Sequence, residues 1–256
     1  MRGILMKKNP SLYFILFLNL FCCGQMISAA TLHTILVADT IHDINSITVP
    51  DLARWQKELQ MIAQSTHMIL KEITFEGKRF RKQLIIDYLK NFSVNHDDAV
   101  VFIFSGHGYR TRDKKSPWPF LIFELDKHGM DLKWIDETIR SKKPRFSLVL
   151  GDCCNNYIEK GFLGENKNIF VNLRLVETNP SGYNQLFCRA KGHIIVCSCS
   201  PGNFSYGSPF GGLYSQCFLV SLNREISQKF PSWKKVLERA NGYIQQVQIP
   251  VCEINH

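Results

Sequence analysis

The sequence predicts an α/β protein in which a mainly parallel sheet lies between two layers of helices, a three-layer αβα sandwich. Two apolar runs, residues 99–104 and 146–150, support the sheet, and a glycine-containing segment ends each of them. Short Val/Ile/Leu/Phe runs of this kind are typical of strands buried on both faces, as in parallel sheets. Helical patterns separate such runs along the chain, and this alternation is typical of helices packed on both faces of one sheet.

The first half of the chain alternates strand and helix. We predict a strand at 32–38, a helix from Pro50 to about residue 70, a short strand at 72–75, a helix over 80–89 and the strand at 99–104. Proline opens a helix readily because it lacks an N–H that the first turn leaves unpaired in any case. The first of these helices also places Leu52, Trp55 and Leu59 on one face.

The second half continues the alternation around one long interruption. An extended segment at 120–125 predicts a small hairpin, and Pro144 ends a helix over 131–142 just before the strand at 146–150. Residues 155–191 show little periodicity, which is typical of a functional or mobile loop. After it we predict a strand at 193–199, a buried helix at 213–222 and a last helix from Pro231 to about residue 247.

The first thirty residues have the composition of a secretory signal peptide. Basic residues precede an apolar stretch at 12–23, and small residues end at Ala30, after which we predict cleavage. A membrane-spanning helix is the alternative, but the stretch is shorter than the roughly 20 residues that a bilayer requires. We therefore expect an exported protein, secreted or periplasmic, with no membrane span once the peptide is removed.

The mature chain, residues 31–256, is basic and of a size that suits one domain. The full sequence carries 31 basic and 22 acidic side chains, and loss of three basic residues with the signal peptide leaves a net charge of +6. A basic patch could bind nucleic acid. We expect no such partner, because the excess is spread over separate segments without interleaved aromatic residues, at 78–82, 110–115, 140–145 and 234–235.

An odd number of cysteines remains in the mature chain, so at least one thiol is free. Cys197 and Cys199 alternate on a predicted strand and therefore share one face. Together with Cys153, Cys154 or His107 they could form a zinc site, although burial of structural thiols explains them more simply. We predict no metal and no cofactor. The seven cysteines are Cys153, Cys154, Cys188, Cys197, Cys199, Cys217 and Cys252.

The ends of the two apolar strands carry an imidazole and two thiols. Ser105-Gly106-His107-Gly108 follows the first strand, and Asp152-Cys153-Cys154 follows the second. Active sites of such sheets form beyond the carboxyl ends of neighbouring strands. Because an imidazole can take the proton of a thiol near neutral pH, the pattern predicts a cysteine hydrolase. Adjacent strand residues point to opposite faces, so only one of the two thiols should meet the imidazole, and both could instead be core thiols.

Both motifs resemble the catalytic signatures of the caspase-like cysteine peptidases, the family of caspases, metacaspases and their bacterial relatives. In that family a Ser-Gly-His-Gly turn carries the histidine, and an Asp-x-Cys segment about fifty residues later carries the nucleophile. Residues 211–214 are similar to the start of a helix in the small-subunit part of the fold, and residues 245–250 to the Gln-x-Pro close of bacterial members. The resemblance implies a caspase-like fold around a roughly six-stranded sheet. It divides the chain into a large-subunit-like part at 31–155, a linker at about 156–191 and a small-subunit-like part at 192–256.

The resemblance also implies roles in the site. Matching Asp-x-Cys makes Cys154 the nucleophile and His107 the base that accepts its proton. The backbone N–H groups of Gly108 and Cys154 become the oxyanion donors.

Asp152 stands where metacaspases place a carboxylate that binds Arg or Lys before the scissile bond. A carboxylate there favours a cationic side chain through charge-assisted hydrogen bonds. Asp39 or Asp43 lies near the position of a second pocket acid, although a turn or helix-capping role suits either of them equally well. We therefore expect cleavage of proteins or peptides after Arg or Lys.

Residues 155–157, Asn-Asn-Tyr, depart from the family pattern of His-Ser-Gly in metacaspases and Arg-Gly in caspases. The alternative to an endopeptidase is therefore a catalytically silent caspase-like domain that binds a partner in the crevice. Many metacaspases depend on calcium, but this sequence has no clear acidic cluster that would indicate such dependence. The sequence also leaves the mode of activation and the oligomeric state open. Basic residues in or beside the linker could be sites of self-cleavage or ordinary solvated charges: Lys160, Lys167, Arg174, Arg189 and Lys191.

Overall fold

The computed structural model describes residues 29–123, 129–157 and 181–255. Its strands are β1 (Thr31–Ala38), β2 (Ile69–Phe75), β3 (Ala99–Ser105), β4 (Gly108–Tyr109), β5 (Phe120–Leu121), β6 (Met130–Asp131), β7 (Phe146–Asp152), β8 (Gly192–Cys197), β9 (Gly207–Ser208), β10 (Gly211–Gly212) and β11 (Val251–Asn255). Its helices are α1 (Asn45–Thr66), α2 (Lys82–Asn91), α3 (Leu132–Ser141), α4 (Ser181–Tyr183), α5 (Leu213–Ile226) and α6 (Trp233–Ile244). A 3₁₀ turn covers Gly77–Arg79, and a π-helical segment, Asn184–Arg189, follows α4.

Six strands form the central sheet in the order β11-β8-β7-β3-β1-β2. The five strands from β8 to β2 in that order pair in parallel, and only the edge strand β11 is antiparallel to its neighbour. Every residue of β1, β3 and β7 is buried. The predicted α/β class and mainly parallel, six-stranded sheet are thus confirmed.

Two separate apolar cores cover the two faces of the sheet and make the three layers. Leu36 of β1 packs on the face that also buries α1, α5 and α6. Its neighbours Ile35 and Val37 point the other way, into the core that α2 and α3 cover. This division follows from the two-residue period of a strand, which sends successive side chains to opposite faces. The three-layer sandwich is therefore built by strands that are apolar on both sides.

Helix α1 differs from its predicted bounds at both ends. It begins at Asn45 and contains Pro50 as its sixth residue. The proline removes only one hydrogen bond near the helix start, so the apolar stripe continues through it. At the other end His67 adopts a left-handed conformation with φ of 55°, and Ile69 already pairs with Thr31 of β1. Strand pairing therefore ends the helix about four residues before the predicted boundary.

The structure adds elements that the sequence pattern did not predict, among them the short antiparallel pair β9–β10. Strand β11 forms the edge of the sheet and is only partly buried, so its sequence lacks the continuous apolar run of the inner strands. Helical residues 181–189 occupy the end of the segment predicted to be aperiodic. The predicted hairpin is instead a small three-stranded sheet in the order β4-β5-β6.

Several predictions fall outside the described residues. They are the body of the signal peptide at 1–28 and the part of the linker at 158–180. Within the described ranges, no helix has both the length and the apolar character needed to cross a bilayer.

Candidate active site

The pairing of β3 with β7 positions the two motifs beside each other. Ser105, the last residue of β3, is in register with Asp152, the last residue of β7. His107 and Cys154 each follow two residues later, so both lie just beyond the same sheet edge. The peptide N–H of Gly106 also donates to the Asp152 carbonyl at 3.3 Å, which joins the two chain segments past the strands.

Gly108 is required by this close approach. A Cβ atom at Gly108 would lie 2.7 Å from the Cys153 sulfur and would also meet the Cys154 carbonyl oxygen. No side chain larger than hydrogen fits there without displacing the backbone that carries Cys154. The glycine thus allows the loop after β3 to lie directly on the segment after β7.

The Cys154 side chain lies at the edge of the core. The residue is 9% exposed, and its sulfur accepts a hydrogen bond from the Ser205 N–H at 3.4 Å. Burial raises the pKa of the Cys154 thiol to about 11, against the opposing effect of the Ser205 hydrogen bond. The thiol is therefore protonated at neutral pH, and a nucleophilic role requires a base that removes its proton during the reaction.

His107 has a carboxylate partner. Its Nε2 lies 2.9 Å from Oδ1 of Asp43, and its side chain is 17% exposed. The hydrogen bond to His107 lowers the pKa of Asp43, so the carboxyl is ionised and can only accept. In the neutral form of His107, Nε2–H therefore donates to Asp43, and Nδ1 is the ring nitrogen with the free lone pair.

The other cysteines of this region belong to the core. Cys153 is 2% exposed and lies in the apolar cluster on the α2–α3 face. Its carbonyl oxygen accepts hydrogen bonds from the thiol of Cys199 and the hydroxyl of Ser198. Among residues 29–123, 129–157 and 181–255, no group of three or more His, Cys, Asp or Glu side chains is placed to hold a metal ion. The cluster of thiols therefore gives the zinc alternative no support.

Asp152 and Asp51 form a buried pair of acids at the start of α5. Asp152 accepts from the Ser215 N–H at 2.9 Å and from the Ser205 hydroxyl at 3.0 Å. Both oxygens of Asp51 lie 2.9 Å from the Gly212 nitrogen, and Ser105 donates its hydroxyl to one of them at 2.8 Å. These donors satisfy both carboxyl groups inside the protein.

The two acids are close enough for the charge of Asp152 to act on Asp51. Burial raises the pKa of Asp152, and burial together with repulsion from Asp152 raises that of Asp51 well above its usual range. Gly212 lies between them: a Cβ atom there would be 2.9 Å from an Asp51 oxygen and would also meet an Asp152 oxygen. The glycines at 211–212 therefore leave no side chain between α5 and the acid pair.

Sequence analysis did not identify Asp51. It lies in the helical stripe that contains Leu52 and Trp55, and it is 1% exposed. The signal that could have found it is an acidic residue within the first turns of a helix beside the apolar positions that face the sheet.

Asp39 and Asp43 lie on the loop between β1 and α1. Asp39 accepts from Nδ1 of His42 at 2.7 Å and from the His42 N–H at 3.2 Å, so its carboxylate closes a turn. Asp43 contacts His107, as described above. Their role as pocket acids stays a prediction.

The departure at Asn155 has a structural use. Its side-chain amide donates to the carbonyl oxygens of Pro117 and Cys199, at 2.7 and 3.2 Å, and its Oδ1 accepts from Arg110 at 3.2 Å. The next residue, Asn156, accepts the Arg110 N–H at 2.8 Å through its carbonyl oxygen. The Asn-Asn sequence thus fastens the chain after Cys154 to two neighbouring loops, the one between β4 and β5 and the one after β8.

This sheet order and this pair of strand ends define a caspase-like α/β sandwich. The chain belongs to the caspase domain family, a family of cysteine peptidases, whose model matches residues 60–256. The motif resemblance found in the sequence is therefore confirmed.

Two solved structures are similar in fold. Protein GSU0716 from Geobacter sulfurreducens is 13% identical, with a TM-score of 0.53 over 88% of this chain and 93% of that chain. Caspase-1 from Spodoptera frugiperda is 12% identical, also with a TM-score of 0.53, over 88% of this chain and 87% of that chain. At such identities the likeness shows the fold alone. No curated protein matches the sequence significantly.

The buried acid pair predicts a pH-dependent effect of Asp51→Asn on stability. An acid whose pKa is raised by folding destabilises the native state above its ordinary pKa of about 3.9 and has no effect below it. We expect the variant to unfold at higher urea concentration at pH 7, by on the order of 1–2 kcal/mol in free energy of unfolding, and to match the parent at pH 3.5. Asp87→Asn, on the exposed face of α2, controls for loss of one carboxyl group. A less stable Asp51→Asn protein at pH 7 would contradict the assignment.

Proposed function

We propose that this protein is a cysteine endopeptidase in which Cys154 is the nucleophile and His107 the general base. The observation that carries the proposal is the register of Ser105 with Asp152, because it brings both residues to one sheet edge. The partial exposure of His107 is consistent with access of a peptide from solvent. Membership of a cysteine-peptidase family supports the same reading of the two motifs.

The chemistry follows from the protonated thiol. As a peptide carbonyl approaches, His107 accepts the Cys154 proton and the sulfur attacks the carbonyl carbon, giving a tetrahedral oxyanion. The N–H groups of Gly108 and Cys154 donate to that oxygen, a contribution of about 3 kcal/mol each in comparable sites. The imidazolium then protonates the leaving amine, and water attacks the thioester with His107 again acting as base. No cofactor takes part in this sequence.

We propose cleavage after Arg or Lys, with Asp152 and Asp51 as the acids that bind the cationic side chain. Both are buried close to the nucleophile, and within the described ranges the Arg54 charge acts on Asp51 but no basic side chain forms an ion pair with either acid. A guanidinium or ammonium group would supply the missing countercharge in a site of low dielectric, where a charge-assisted hydrogen bond is strong. Asp51 therefore joins Asp152 and Asp39 as a proposed substrate-binding residue.

Export through the N-terminal segment is also part of the proposal. Its support is the order of basic, apolar and small residues up to Ala30, followed directly by β1 at Thr31. Removal of residues 1–30 would leave every residue of β1 in place, at the loss of one hydrogen bond from the Ile69 N–H to the Ala30 carbonyl oxygen.

A catalytically silent binding domain is the second candidate function. The observation that favours it is the burial of Cys154 together with its raised pKa, since a reactive thiol is usually more accessible and more acidic. The Asn155 contacts fix the loop after Cys154, and they would equally well hold a binding crevice in one shape.

The dyad is tested by Cys154→Ala and His107→Ala. We expect either change to abolish hydrolysis of a mixed peptide library by the mature chain, since nucleophile and base act as a unit. His107→Ala should also slow alkylation of Cys154 by iodoacetamide, because a buried thiol needs that base to become a thiolate. Cys252→Ser, at a partly exposed cysteine on β11, should retain activity. Hydrolysis that persists in Cys154→Ala would contradict the proposal, and a parent protein that cleaves no peptide would favour the binding domain.

Specificity is tested by peptides that differ only in the residue before the scissile bond. We expect Arg and Lys peptides to be preferred, and Asp152→Asn to lower kcat/KM for them by about 10–100-fold, the size of a lost charge-assisted hydrogen bond. Because burial raises the pKa of Asp152, KM for an Arg peptide should fall as pH rises and the carboxyl ionises. A peptide with a neutral residue at that position serves as control and should not respond to the substitution. Preference for Asp over Arg would overturn this specificity.

A further inference from the structure

The loop between β1 and α1 brings one carboxylate to the catalytic imidazole. Oδ1 of Asp43 lies 2.9 Å from Nε2 of His107, although the two residues are 64 positions apart in the sequence. The imidazole is mostly buried, and the Asp43 side chain is 57% exposed. The exposed Asp43 side chain therefore contacts the His107 ring, which lies two residues after the end of β3.

This contact decides which nitrogen of His107 is basic. The Asp43 carboxylate is ionised, because its pKa is lowered first by the hydrogen bond with His107. An ionised carboxylate cannot donate, so the ring proton of a neutral His107 stays on Nε2 and the lone pair stays on Nδ1. Without the contact, either nitrogen could carry the proton, and only one of these forms could accept a proton at Nδ1.

We infer that Asp43 is a positioning residue for His107, which keeps Nδ1 free to accept the Cys154 proton and stabilises the imidazolium that results. The inference rests on the proposed function only for the identity of the proton donor, since the effect on the imidazole itself does not require catalysis. It assigns to Asp43 an action on His107 rather than on the side chain of the substrate.

The need for such a residue follows from the thiol. Burial makes Cys154 a weak acid, so proton transfer to an unassisted imidazole is uphill. A carboxylate at 2.9 Å lowers the free energy of the imidazolium and so lowers the cost of that step.

Other charged groups near the contact are few among the residues described. His42, on the same loop, interacts with Asp43 but has its own carboxylate partner in Asp39. Just beyond the end of β7 the titratable groups are the thiols of Cys153 and Cys154, of which Cys153 is buried in the core on the α2–α3 face. Asp43 is therefore the carboxylate that contacts the imidazole among the residues described.

Three substitutions at Asp43 separate control of the tautomer from simple loss of charge. In Asp43→Asn the amide can accept from Nε2–H or, when turned over, donate to Nε2 and move the ring proton to Nδ1. Asp43→Ala leaves both tautomers available, and Asp43→Glu retains a carboxylate on a longer side chain. We expect kcat/KM in the order parent, Glu, Ala, Asn.

The expected loss for Asp43→Asn is about 10–100-fold, smaller than the roughly 10⁴-fold known for a fully buried triad aspartate, because solvent screens the exposed Asp43. The loss should lie in kcat, because the contact acts on the base that takes part in the chemical step. A loss confined to KM for Arg and Lys peptides would instead assign Asp43 to substrate binding and overturn the inference. Asp97→Asn, which removes the partner of the exposed His96, is the matched control and should leave kcat unchanged.

A spectroscopic measurement keeps the inference testable even if the parent protein cleaves no peptide. Long-range ¹H–¹⁵N correlation of histidine rings distinguishes the two neutral tautomers. We expect the Nε2–H form of His107 in the parent and in Asp43→Glu, and a shift toward the Nδ1–H form in Asp43→Asn. An inactive parent with this pattern would refute the peptidase and support the positioning role. An unchanged tautomer in Asp43→Asn together with unchanged kcat would overturn it.

Discussion

The parallel pairing of β3 with β7 is the constraint on which the rest of the structure depends. Parallel strands leave the sheet in the same direction, so the residues that follow them are neighbours wherever the chain next turns. A slip of one residue in this pairing would send the apolar side chains of one strand to the wrong face. Because both faces of β3 and β7 are buried in separate cores, the packing fixes the register. The position of His107 beside the cysteine motif is therefore a product of core packing.

The buried acids show how the same sheet edge accommodates charge. Asp51 and Asp152 are held by N–H groups at the start of α5, where the unpaired donors and the dipole of a helix favour negative charge. Burial of both carboxyl groups and repulsion of Asp51 by Asp152 act against this, so the two negative charges are only partly compensated. A site that binds a cation gains affinity from such a deficit, and the protein gives up some stability to maintain it.

The inner strands could be predicted from the sequence because strands buried on both faces need mostly apolar residues. Every residue of β1, β3 and β7 is buried, and their content of Val, Ile, Leu and Phe is typical of strands covered on both faces. The edge strand β11 was missed because a half-exposed strand needs no such run. The start of α1 was misplaced because Pro50 is tolerated inside the helix when the stripe around it is buried.

The residues of the candidate site likewise divide into those that could be predicted from the sequence and those that could not. Residues in motifs at strand ends, His107 and Cys154, could be named from the sequence. Contacts made by loops and by α1 could not, because the carboxyl group of Asp43 meets His107 only through the path of the β1–α1 loop. Asp51 likewise reaches Gly212 across 161 positions, and no local pattern encodes that distance.

The sheet also joins the two parts of the chain that the linker separates in sequence. Strand β7 lies before residues 158–180 and β8 after them, yet the two pair in parallel along six residue pairs. The side-chain amide of Asn155, before residues 158–180, also donates a hydrogen bond to the Cys199 carbonyl oxygen, which follows them in the sequence. If a peptide bond within 158–180 were broken, the resulting fragments would therefore stay together as a two-chain protein, held by shared backbone hydrogen bonds and a common core. An unbroken chain through residues 158–180 is therefore not needed to hold the two parts of the candidate site together.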